Sequence, residues 1–333
     1  MIFQPAVIAL QLSSVLLSVM VVYAAFFGVQ ILREWDIESG SDRQLIRERK
    51  TYLISTILSY LFVFQLLSLF LYVFTADHLH NLLVGAMCAS GSLYANSYGY
   101  PALIFKMINF LLAGLWLIIN YTDNKAYDYP LIKIKYGFLM VLAPLILVES
   151  GLQTAYFLRL KPNIITSCCG SLFSVDAPGF TAGMASLPLV PTMAALISLL
   201  VVVLACGVFF LVKRKGVIFF AILSGLLFPV ALAAIITFLS VYIYELPTHH
   251  CPFCLLQGEY GYIGYALYPS LFGAVILGLG SGVIAPFQRI ASLSHTIPRT
   301  ERTLVVYATI MFAFFLAIVL YKVAVSNYVL DRF

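Results

Sequence analysis

The stretch PTMAALISLLVVVLACGVFFLV, residues 191–212, holds no charged side chain and runs straight into Lys213-Arg214-Lys215. A helix of this length, rising about 1.5 Å per residue, crosses a hydrocarbon core of about 30 Å. A second apolar run, 216–244, follows the basic turn at once. The pair reads as a transmembrane hairpin whose turn stays on the basic side of the bilayer.

Six further runs of the same kind lie outward of this hairpin, at 7–32, 51–75, 101–121, 136–158, 259–287 and 304–325. The reading is therefore an all-α polytopic bundle of about eight transmembrane helices, one integral membrane domain over 1–333. Composition agrees: 62% of the residues are hydrophobic and 10% are charged, which excludes a soluble globular chain. The N-terminal stretch Met1–Gln11 holds no basic residue ahead of its apolar run, so this start reads as a first span and not as a cleavable signal peptide. The net charge of +5 comes from residues scattered in loops, so a nucleic-acid partner is not expected. No phosphate-binding glycine loop and no Ser–His–Asp pattern is visible.

Most of the 19 basic residues fall in alternate loops, after spans one, three, five and seven. Lys133 and Lys135 are counted among these loop residues. The positive-inside rule then places both termini outside, in a bacterial or archaeal cell membrane. Cys88, Cys168, Cys169, Cys251 and Cys254 fall on that outer side, as do His78, His80, His249 and His250. Disulfides persist in that compartment. Cys206 lies within a span, where it reads as a small apolar residue. A short internal similarity links Cys88-Ala-Ser-Gly-Ser-Leu-Tyr94 to Cys168-Cys-Gly-Ser-Leu-Phe173. It suggests three repeated helical hairpins, each ending in a cysteine loop, plus a closing pair of helices.

Two ionisable residues lie inside spans, Lys106 in span three and Glu149 in span four. Such groups are costly in lipid and are functional hypotheses by default. They read either as a structural ion pair or, in the case of Glu149, as a proton carrier beneath the cysteine face. Span seven is dense in glycine, which allows close helix approach. Tyr260, Tyr262, Tyr265 and Tyr268 crowd its start and are expected to line an apolar pocket beneath the cysteines.

The most informative short stretch is His249-His-Cys251-Pro-Phe-Cys254-Leu-Leu-Gln257. Two cysteines at this spacing can close a small redox disulfide or offer two thiolates to one metal. Read as the start of a helix, the stretch places Cys251 where its thiolate is stabilised, making it the attacking thiol. Cys251 to Gln257 resembles the first cysteine pair of the disulfide bond formation protein B family, and a related pair occurs in vitamin K epoxide reductases. That resemblance implies a membrane thiol–disulfide oxidoreductase, with a quinone as cofactor and an external thiol or redox protein as partner. The electrons would pass between Cys251–Cys254 and an upstream cysteine, Cys168 or Cys169 first and Cys88 second. The candidate cofactor contacts are Gln257, Tyr260 and Glu149. Gly258 stands where that family's motif has an arginine.

Cys168-Cys169 resembles the vicinal cysteines of mercuric-ion membrane transporters, which implies a soft-metal role. Adjacent thiolates bind Hg(II), Cu(I) or Zn(II), and His78, His80, His249 or His250 are the candidates to complete such a site. A third class is a non-catalytic membrane anchor subunit of a redox complex.

Overall fold

The computed structural model describes residues 3–36, 39, 41–161, 183 and 186–327. Cys168 and Cys169 lie outside the described residues. Among the described residues there are eight helices long and apolar enough to cross a membrane, and no strand. Four of the eight extend beyond the apolar runs at both ends, and two more, opening at Ile132 and Thr296, extend at the start only. The other two open late, at Val217 and Gly264.

The chain forms two compact units. The first comprises 1–75, 95–162 and 283–300; the second comprises 76–94, 163–282 and 301–333. In the first unit, α1 (Pro5–Glu34) and α4 (Gly99–Asp123) both pack along α5 (Ile132–Leu158). Most of α2 (Asp42–Leu79) belongs to this unit. Its core is aliphatic and aromatic, with the Phe62 and Trp116 rings edge-to-face at 4.9 Å.

Two buried ion pairs interrupt that core. Lys106 Nζ lies 2.7 Å from Glu149 Oε1 and also donates to Ser68 Oγ. Glu149 Oε2 accepts from Gln65 Nε2 and Asn109 Nδ2. The second pair corrects the reading of Lys135 as a loop residue. The helix opens at Ile132, and Lys135 is wholly buried, 2.8 Å from Asp123 Oδ2 and 3.0 Å from Asn120 Oδ1. Asp123 also accepts the Leu131 backbone N–H, so the carboxylate closes the turn and neutralises the lysine together.

The second unit contains α3 (Ala89–Tyr94), α6 (Leu189–Lys213), α7 (Val217–Ala234), α8 (Ser240–Tyr244), α9 (Gly264–Ile284, all but its last two residues) and most of α10 (Thr296–Val325). A π-helical turn, Ile235–Leu239, joins α7 to α8 without breaking the rod. The span containing α9 is the most buried of the eight, which fits its glycine density. At Gly282 an added Cβ would collide with the Cβ of Ala221 on α7. Gly282→Leu is therefore expected to cost about 1–3 kcal/mol through overpacking. The thermal unfolding midpoint in detergent should fall. Gly137→Leu, where a Cβ meets nothing within 4 Å, should leave it in place. Equal midpoints for the two variants would contradict the close approach.

Candidate thiol centre

Two segments of the second unit supply the site. The first runs from the end of α2 to α3. Gly85, with φ 83°, turns the chain in a conformation open to glycine. Asp77 Oδ1 then accepts the Ala89 N–H at 3.2 Å, which fixes the start of α3 and places Cys88 immediately before it. The second segment follows α8. It holds Cys251 in a loop and Cys254 at the head of a 3-10 turn, Cys254–Leu256. A further 3-10 turn, Gly258–Tyr260, and a left-handed Gly261 separate it from α9.

The α-helix thus begins at Gly264, not at the cysteine pair. This corrects the expectation that a helix N-terminus activates Cys251. The glycines at 258 and 261 and the left-handed Tyr262 break the chain into short turns, so no aligned run of peptide dipoles starts at the thiols.

The two segments bring three thiols together. Cys88, Cys251 and Cys254 are all buried, and their Sγ atoms lie within 4.8 Å of one another. Cys88 Sγ and Cys251 Sγ are 3.6 Å apart. A disulfide bond is about 2.0 Å long, so the sulfurs are in contact and not bonded. His249 Nε2 lies 3.4 Å from Cys254 Sγ.

Hydrogen bonds to the backbone hold this arrangement. Tyr244 Oη donates to the Cys251 carbonyl at 2.6 Å, and Tyr268 Oη donates to the Pro252 carbonyl at 2.5 Å. Gln257 Nε2 donates to the Met87 carbonyl at 2.9 Å, tying the Cys88 segment to the Cys251 segment. The Tyr244 ring meets the His249 ring edge-on at 4.6 Å and the Tyr260 ring at 4.4 Å. Burial lowers the His249 imidazole below its ordinary range; the nearby Cys88 opposes this and His250 adds to it. Burial, with Cys254, Glu259 and Cys251 close by, raises the Tyr260 phenol.

The other candidate residues have separate places. His250 Nδ1 bonds to the Ile236 carbonyl in the π-helical turn, at 3.0 Å. His80 Nδ1 bonds to the Asp77 carbonyl, and His78 stands on the last turn of α2. Tyr262 and Tyr265 are exposed, so of the tyrosine cluster Tyr268 and Tyr260 face the cysteine segment. Glu149 belongs to the first unit, in the network with Lys106. The part played by Asp77 and Gln257 in fixing Cys88 had no signal in the spacing of the cysteines.

Chemically, three sulfurs in one buried cluster can exchange a disulfide among themselves or converge on one ion. Comparison with protein-family models, curated proteins and solved structures returns no match. The chain is thus a polytopic helical membrane protein with a buried cluster of three close cysteines.

Proposed function

We propose that the chain is a membrane thiol–disulfide redox protein, with Cys88, Cys251 and Cys254 as its exchange centre. The observation that supports this is the 3.6 Å contact between Cys88 and Cys251, two residues far apart in sequence, with Cys254 in the same cluster. Cys251 is the shared sulfur. The Cys88 thiolate attacks the Cys251–Cys254 disulfide at Cys251; the Cys88–Cys251 bond forms and Cys254 leaves as the thiolate. His249, in contact with that sulfur, can donate a hydrogen bond to the leaving thiolate. A complete turn passes two electrons and two protons between this centre and an external dithiol or disulfide. Read by the positive-inside rule, the basic loops support an outer face for the centre, where such partners occur. A quinone as the membrane acceptor rests on the resemblance of Cys251–Gln257 alone.

The test is acid quenching after brief diamide treatment, then denaturation, alkylation and mass-spectrometric mapping of disulfides. Linked peptides joining Cys251 to Cys254 and Cys251 to Cys88 are expected, both reversed by a dithiol. Thiols that stay reduced throughout would overturn the reading. A second reading, soft-metal binding, is favoured by one observation, the imidazole nitrogen standing at the rim of the sulfur cluster.

A further inference from the structure

We infer that Cys88, Cys251, Cys254 and His249 together form a four-donor site for a thiophilic cation of the zinc class, filled while the thiols are reduced and emptied when Cys88 and Cys251 join. The second half rests on the redox reading above; the first half stands without it.

Two of the separations match edges of a tetrahedral site. Zinc–sulfur bonds of about 2.3 Å and zinc–nitrogen bonds of about 2.0–2.1 Å put two sulfurs about 3.8 Å apart, and a sulfur and a nitrogen about 3.5 Å apart. Here the Cys88–Cys251 separation is 3.6 Å and the His249 Nε2–Cys254 Sγ separation is 3.4 Å. These two edges share no atom, so together they engage all four donors. All three sulfurs lie within 4.8 Å of one another, and His249, in contact with Cys254, would turn further inward to complete the set.

Charge makes the same case. The three thiols are buried, and once deprotonated they would need a compensating positive charge. Neither residues 76–94 nor residues 245–282, which carry the donors, contain a lysine or an arginine. A divalent cation supplies what those segments lack. The surroundings also fit a fixed site: Tyr244 and Tyr268 pin the backbone of Cys251 and Pro252, Gln257 pins Met87, and the Tyr244 ring sets the His249 plane. Outer partners of this kind orient ligands.

Binding exchanges three thiol protons for one ion. Oxidation by an external disulfide converts the Cys88 and Cys251 thiolates into one disulfide and returns two thiolates, which take up two protons. The ion loses two sulfur ligands and leaves.

The experiment uses the full chain in detergent with C168S, C169S and C206S, so that only the cluster thiols remain. Reduced protein is titrated with Cd²⁺, read by the thiolate-to-cadmium absorption, and with Zn²⁺, counted by elemental analysis. One ion per chain is expected. H249Q and C254S should each weaken binding tenfold or more, and diamide should expel the ion as Cys88 joins Cys251. Reduced protein that takes up no ion overturns the site, while disulfide mapping of the same sample still decides the redox reading. If the ion binds but diamide never joins Cys88 to Cys251 in metal-free protein, the redox reading falls and the site stands. An ion retained after that bond has formed overturns the coupling, and an H249Q protein that binds as tightly as its parent removes His249 from the site.

Discussion

Cys251→Ser is expected to bring disulfide formation within the cluster down to background. Cys251 is the sulfur common to both proposed bonds: it touches Cys88 at 3.6 Å and is paired with Cys254 by the short loop. Cys254→Ser should leave the Cys88–Cys251 bond, because those sulfurs already touch at 3.6 Å. Cys88→Ser should leave Cys251–Cys254, the short-range pair. The three single variants therefore give three distinct peptide maps after diamide treatment, and the serine replacement changes little in volume. A Cys88–Cys254 bond forming in Cys251→Ser as fast as the native bonds would show that the cluster has no central sulfur. The exchange order proposed above would then be wrong.

The membrane helices were legible because their signal is redundant. Every span needs about 20 apolar residues, and nothing else in a protein of this composition does. The boundaries were less legible where charge entered a helix. Lys135 reads as a loop residue because a lysine beside Lys133 at the edge of an apolar run is normally solvated. Its partner, Asp123, lies on the preceding helix, and only the tight connection between α4 and α5 brings the two within 2.8 Å. The same limit applies to Lys106 and Glu149. Their burial was foreseeable from hydropathy, but the amides of Gln65 and Asn109 on the same carboxylate were not.

The thiol centre was half legible. The Cys251–Cys254 spacing and its place between spans point to sulfur chemistry, and the parity of spans puts Cys88 at the same end. Sequence gives no measure of which upstream cysteine meets the pair. Cys168 and Cys169 come first on the strength of the resemblance, yet among the described residues it is Cys88 that touches Cys251. The reason is local: Asp77 holds the start of α3, and Gln257 reaches the Met87 carbonyl. Neither bond leaves a pattern in residue spacing. The helix start at Gly264 was misread because the apolar run opens at residue 259, just after the cysteine pair, whereas the glycines there favour short turns.

Glu149→Gln should be among the most damaging single changes in the first unit. It removes the carboxylate from an ammonium group that is 2% exposed, and a buried charge left without its partner costs about 3–5 kcal/mol. Lys106 would retain Ser68 Oγ at 3.2 Å and the Tyr72 ring at 5.4 Å, neither of which carries a negative charge. The reciprocal change, Lys106→Met, should be milder. Glu149 would still accept from Gln65 and Asn109, so its charge keeps two donors. The double variant Lys106→Met/Glu149→Gln should recover much of the loss, since no net charge then remains in the pocket. Asn109 Oδ1, which has no partner, is placed to accept from the new amide after the side chain turns over. The measurement is the unfolding midpoint of each purified variant in one detergent. The expected order, from least to most stable, is Glu149→Gln, then Lys106→Met, then the double variant close to the parent. A double variant no better than Glu149→Gln would mean that the carboxylate matters for the amides it organises more than for the lysine it neutralises.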